Sequence, residues 1–183
     1  MKSSVVGKNA LQKSCISAVC LALCLVLPFL TGQIPQIGSA LSPMHIPVLL
    51  CGFLCGWPYG LVIGLIAPPL RFLLFSMPPI MTTGLGRMFE LAAYGALAGI
   101  LYRYLPKKLP YLYVSLIGAM LGGRVVWGIA RFVIAKLFSL EFGFAMFLTA
   151  GFVTAVPGII LHILIIPPIV YALRRAKVVP AEI

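Results

Sequence analysis

Between Ser14 and Leu70 the chain carries no Asp, Glu, Lys or Arg. A membrane-spanning helix takes about 20 mostly apolar residues, so this interval holds two or three of them. Apolar runs, punctuated by Pro, Gly and short basic clusters, continue to the C-terminus. Six helices are predicted, over about 14–30, 44–56, 61–77, 84–105, 111–135 and 144–173. At 1.5 Å per residue the first covers about 26 Å, close to the hydrocarbon core. The uncharged stretch 31–43 reads as a loop, and so does the Pro-bearing stretch 76–83. Gly56-Trp57-Pro58-Tyr59-Gly60 reads as a tight turn, Pro68-Pro69 as an interruption of the third segment, and Pro157-Gly158 as a kink in the sixth. Gly52, Gly56, Gly60 and Gly64 recur every four residues, as do Gly95 and Gly99, and Gly118 and Gly122. Small residues at that spacing let helix backbones approach closely, either inside the bundle or against another membrane subunit.

Composition sharpens this picture. Hydrophobic types make up 62% of the 183 residues and charged types 9%, against about 45–50% and about 25% in soluble domains. A soluble domain and a disordered tail are both excluded as the default. No room remains for a soluble catalytic, nucleotide-binding or receptor domain. The expected fold is an all-α integral membrane protein, one domain over 1–183, a bundle of six transmembrane helices. The net charge of +11 would suggest nucleic acid in a soluble protein. Here the basic residues cluster at helix ends, as the positive-inside rule requires of a protein in a lipid bilayer, and no nucleic-acid partner is implied. Lys2, Lys8 and Lys13, then Arg103, Lys107 and Lys108, then Arg174, Arg175 and Lys177 fall on one side of six spans. Both termini are then cytoplasmic, and the loops after the first and third segments lie outside. The basic start followed by an apolar run resembles a signal peptide, but no small-x-small cleavage site follows it, so a retained helix is expected. Leu23 argues against a lipoprotein site at Cys24. Cys15, Cys20, Cys24, Cys51 and Cys55 fit no usual zinc or disulfide frame and read as small apolar packing residues. The i,i+4 pairs Cys20/Cys24 and Cys51/Cys55 leave a metal role open.

Five basic residues stand apart from the clusters: Arg71, Arg87, Arg124, Arg131 and Lys136. An arginine near the bilayer centre costs at least about 2.5–3.5 kcal/mol, so it turns toward the bundle interior or a wet cavity. Arg124 and Arg131 are seven apart and share a helix face. Glu90 lies three residues after Arg87 and is placed to pair with it. One glutamate against four arginines suits an outward-facing cavity for an anionic or polar solute better than a balanced structural network. Snorkelling to the interface is the other reading for Arg71 and Arg87, and the expected one for Lys136. Pro68-Pro69 frees backbone carbonyls beside Arg71. His45 either donates to a ligand or caps its helix. His162 reads as a core histidine. No phosphate loop, HExxH or GxSxG occurs, so neither an enzyme, a cofactor nor a metal site is implied. Energy for transport would come from a partner or an ion gradient.

With these features the chain resembles the substrate-binding S component of energy-coupling factor (ECF) vitamin transporters, over nearly its whole length. The resemblance rests on the six spans, on Ala18-x-x-x-Ala22 in the first helix, on the run Ser42-Pro43-Met44-His45-Ile46-Pro47, and on the Gly56–Gly60 turn. It implies that Ala18 and Ala22 dock on a transmembrane coupling subunit served by two cytoplasmic ATPases, in a bacterial plasma membrane. It also implies that the loops after the first and third helices close over a bound vitamin. The likeness is to the pantothenate and riboflavin branch. The basic residues favour a carboxylate-bearing ligand, pantothenate first, with Arg71, Arg87, Glu90, Arg124, Arg131 and His45 as binding residues. Riboflavin or another vitamin is the alternative. A non-transporting scaffold or sensor is the alternative of another class, and a lipid- or prenyl-modifying membrane enzyme would need clustered acids or a His pair that are absent.

Overall fold

The computed structural model describes residues 2–31, 38, 40–76, 83–139, 141–176 and 178–179. Among them every regular element is helical. The helices are α1 (Lys2–Val26, extended by a 3-10 turn Leu27–Thr31), α2 (His45–Cys55), α3 (Trp57–Phe75), α4 (Leu85–Tyr104), α5 (Leu109–Leu137), α6 (Phe144–Leu148, continued by a π-helical turn Thr149–Val153) and α7 (Val156–Arg175). Most of the two loops expected to close over a ligand, at 32–37 and 77–82, lies outside the described residues, as does Lys177.

Among the described residues four segments are long and apolar enough to cross a membrane: Asn9–Leu30, Trp57–Phe75, Leu109–Leu137 and Phe144–Arg175. The other two predicted spans differ for physical reasons. α2 has 11 residues, about 16 Å at the helical rise, which is too short to span. Ten of its residues are buried, all but Ile46. α4 carries Arg87, Glu90 and Arg103, which make it less apolar than the four spanning segments. It stands at the centre, packed against α3, α5 and α2, so little of its surface has to suit lipid. α5 shows the opposite face pattern. Val114, Ile117, Leu121, Val125, Ile129 and Phe132 point outward, while Ser115, Ala119, Gly123, Arg124 and Gly128 are buried. A helix in lipid turns its apolar stripe out and its small and polar residues in.

The glycine spacing serves contacts inside the bundle. Gly95 of α4 lies against the Gly60 backbone of α3, and a Cβ at Gly60 would meet the Gly95 carbonyl at 2.6 Å. Only glycine permits backbones this close. The turn expected over 56–60 contracts to one residue: Gly56 takes φ +96°, and α3 begins at Trp57 with Pro58 in its first turn. Pro at that position loses no helical hydrogen bond. Pro68-Pro69 sits inside a continuous α3 rather than interrupting it. In the sixth segment the break falls at Thr149–Val153, upstream of Pro157, which starts α7 instead of kinking a single helix.

Candidate functional site

The helices define two ends. Cys55 Sγ meets the Lys13 carbonyl, and Arg174 donates to the Phe53 carbonyl at 3.2 Å. The start of α1 and the ends of α2, α4 and α7 therefore meet at a basic end. His45, Arg87 and Arg131 lie toward the opposite, far end, where a cavity of about 370 Å3 opens.

Its cationic wall comes from two helices. α4 supplies Arg87 and Glu90; α5 supplies Arg124, Trp127 and Arg131. Offsets of 0, 3 and 7 put the last three on one face of α5. The remaining wall is mildly polar: Ser42, Thr83, Thr149 and Thr154, with Met146 and Ala150. The π turn widens the chain where Thr149 and Thr154 fall, a backbone form often found at functional sites. Both hydroxyls donate to nearby carbonyls: Thr149 Oγ1 to Ala145 at 2.9 Å and Thr154 Oγ1 to Thr149 at 2.8 Å. Their lone pairs remain as acceptors. Behind Trp127 stand Phe147, stacked at 6.1 Å, and Phe142, edge-on at 5.8 Å. Arg131 lies against Phe142, 5.3 Å from its centroid, and crosses α4 at Gly86, where any side chain would strike it.

Glu90 organises the floor. It is 2% exposed, and Oε1 stands 3.2 Å from Arg124 Nη1 and 3.3 Å from His45 Nε2. These are close polar contacts rather than aligned hydrogen bonds: His45 Nε2, Glu90 Oε1 and Arg124 Nε are buried without an aligned partner. The His45 orientation is set locally. Its backbone N–H and its Nδ1 both reach the Ser42 carbonyl, at 3.0 and 3.2 Å. A carbonyl only accepts, so Nδ1 carries a proton and Nε2 faces the carboxylate. Ser42 holds the left-handed φ of +46° that aims this carbonyl. Tyr94 packs edge-on against the His45 ring at 4.9 Å, and His162 stacks on it at 5.9 Å. His162, expected in the core, is buried, yet it belongs to this floor.

The structure thus gathers Arg87, Glu90, Arg124 and Arg131 around one cavity, with His45 behind the glutamate. The expected Arg87–Glu90 pair gives way to tertiary pairs with Arg124 and His45, leaving Arg87 on the cavity wall. Arg71 is not brought to the cavity. It is 4% exposed, donates from Nη1 to the Leu25 carbonyl at 2.6 Å and lies between the rings of Phe29 and Phe75. Leu25 sits in the last turn of α1, where helical carbonyls lack partners. The carbonyl Arg71 finds is therefore one from α1, not those freed by Pro68-Pro69. Lys136 is exposed over Phe132, as a snorkelling lysine would be. Trp127, Thr83, Thr149 and Thr154 went unforeseen. The Arg124-x-x-Trp127-x-x-x-Arg131 spacing was a signal for the first; nothing in the sequence marks the threonines.

Ala18 and Ala22 are both exposed on α1, in line with the apolar side chains Leu11, Val19 and Val26, which are 58–67% exposed. Cys20, Cys24, Cys51 and Cys55 are buried free thiols, and Cys15 is exposed. Among the described residues no group of His, Cys, Asp and Glu is arranged to hold a metal ion.

Comparison with known proteins gives one family. The model for the ECF transporter, substrate-specific component matches residues 12–170. No curated protein and no solved structure matches the chain.

Proposed function

Because this chain belongs to the substrate-specific component family of ECF transporters, we propose that its far-end cavity captures a carboxylate-bearing vitamin or related small solute. Uptake is then driven by ATP hydrolysis on partner subunits. The observation that carries this reading is the lining: three arginines against one glutamate, which Arg124 already engages. That leaves net positive charge facing a space within the about 300–1,000 Å3 usual for small-ligand sites. Arginine matches a carboxylate with paired donors. Arg131 and Arg87 are the primary anion contacts, Arg124 is held in place by Glu90, and the threonines accept from ligand hydroxyl or amide groups. Pantothenate, which has one carboxylate, hydroxyls and an amide, is the first ligand to test. The termini and the basic end face the cytoplasm, the cavity faces out of the cell membrane, and the exposed α1 stripe with Ala18 and Ala22 docks on the coupling subunit beside two ATPases.

Trp127, stacked with Phe147 beside the cavity, favours a second ligand class, a flat ring such as riboflavin. Calorimetry on the purified protein in detergent, with pantothenate and riboflavin in a vitamin panel, separates the two. One-to-one pantothenate binding that weakens about tenfold or more in Arg131→Gln is the expected result. Tight riboflavin binding unchanged by that substitution would replace the anion reading with the aromatic one. No binding by folded protein to any vitamin would overturn both.

A further inference from the structure

The basic end holds a second cavity, of about 280 Å3. It lies between the α4–α5 turn and the end of α7, far from the arginine-lined cavity. Lys107, Lys108, Arg174 and Arg175 line it, and among the described residues no acidic side chain does. Its floor is aromatic. Tyr102 is 3% exposed, with the Arg174 guanidinium 4.5 Å and the Lys107 ammonium 4.1 Å from its ring centroid.

Two of the four cations are anchored to backbone carbonyls. Arg174 uses one Nη2 donor on the Phe53 carbonyl, while its Nε is buried without a partner. Lys107 donates to the Tyr102 carbonyl, which leaves two ammonium donors. Burial, and then the neighbouring Arg174 and Arg103, hold the Lys107 ammonium below its ordinary pKa. Lys107, Lys108 and Arg175 are exposed at the mouth, and Arg174 is half-buried. Four like charges around one concavity repel unless an anion sits among them. A tetrahedral oxyanion offers enough acceptors for donors from several directions, and guanidinium and ammonium groups together suit phosphate. The position agrees: α4 and α7 end and α5 begins here, and Tyr171 lines the rim.

We propose that this basic-end cavity is a binding site for a phosphate-bearing anion, seated on Tyr102 and held by Lys107, Lys108, Arg174 and Arg175. A phospholipid headgroup and a soluble phosphate share this chemistry. Native mass spectrometry of the full chain in detergent, titrated with phosphatidylglycerol or phosphatidylcholine, tests it. The intact protein retains phosphatidylglycerol preferentially. The double substitution Lys108→Gln, Arg175→Gln reduces that retention about tenfold; both residues are exposed, and an unchanged Tm verifies the fold. A control, Lys13→Gln with Arg103→Gln, removes two charges from the same end that do not line the cavity and leaves most of the retention intact. Displacement of the lipid by millimolar inorganic phosphate assigns the site to free phosphates; resistance to it assigns the site to the headgroup. Equal loss in the control pair, or no preference over phosphatidylcholine, overturns the proposal.

Discussion

Two corners of the bundle each bury an arginine, and they solve the problem differently. Where α1 meets α3, Arg71 reaches one backbone carbonyl and two phenylalanine rings. Among the described residues no opposite charge meets it, and it does not line the arginine-rich cavity. Where α4 meets α5, Arg124 reaches a carboxylate shared with a histidine and faces a cavity with two more arginines. The first arrangement ties a helix end down. The second holds a cation ready while leaving it a free side. Burial alone therefore says little about what an intramembrane arginine does; what its remaining donors face says more.

The strongest way to break this contrast is through Glu90. Glu90→Gln strands Arg124 and His45 in the interior without their acid. Removing one partner of a buried pair costs about 3–5 kcal/mol, so the variant is expected to melt far below the parent in detergent and to bind solute poorly. Arg124→Gln comes next. It removes the other partner of that buried pair but leaves His45 beside Glu90, so Tm should fall less than in Glu90→Gln while solute affinity falls about 10- to 100-fold, read by calorimetry and thermal unfolding together. Arg71→Met should show the reverse. An unpaired Leu25 carbonyl destabilises by about 1–3 kcal/mol, while solute affinity stays at the parent value. If Arg71→Met weakened binding as much as Arg124→Gln, the two corners would not differ as described. The smallest effect belongs to Thr149→Val, which removes one acceptor from the cavity wall and should weaken a hydroxyl- or amide-bearing solute about threefold.

The helical membrane fold was legible because lipid imposes long apolar runs, and positions 14–70 display them without interruption. The place of each stray arginine along its helix was legible too, because it follows from distance along the chain. The direction a side chain points was readable only where two signals coincided. Arg124 and Arg131, seven apart, share the cavity face; Arg71 stands alone on its helix, and nothing in its spacing foretold that it turns toward α1. The Arg87–Glu90 pairing failed for a related reason. Spacing of three along a helix is a weak attraction at a surface, and inside the bundle the carboxylate instead meets Arg124 and His45 from other helices. The threonines of the π turn left no mark at all, since an extra residue in one helical turn has no compositional signature.

The central position of α4 has a consequence for how the chain is made. A segment bearing Arg87, Glu90 and Arg103 partitions weakly into lipid by itself, and α2 is too short to hold a transmembrane position unaided. Both are flanked in sequence by strongly apolar neighbours, α1 and α3 for α2, and α3 and α5 for α4. α4 is therefore accommodated best once α3 and α5 are both present, and the glycine-lined seam with α3 receives it. Membrane integration would thus proceed in hairpins rather than helix by helix.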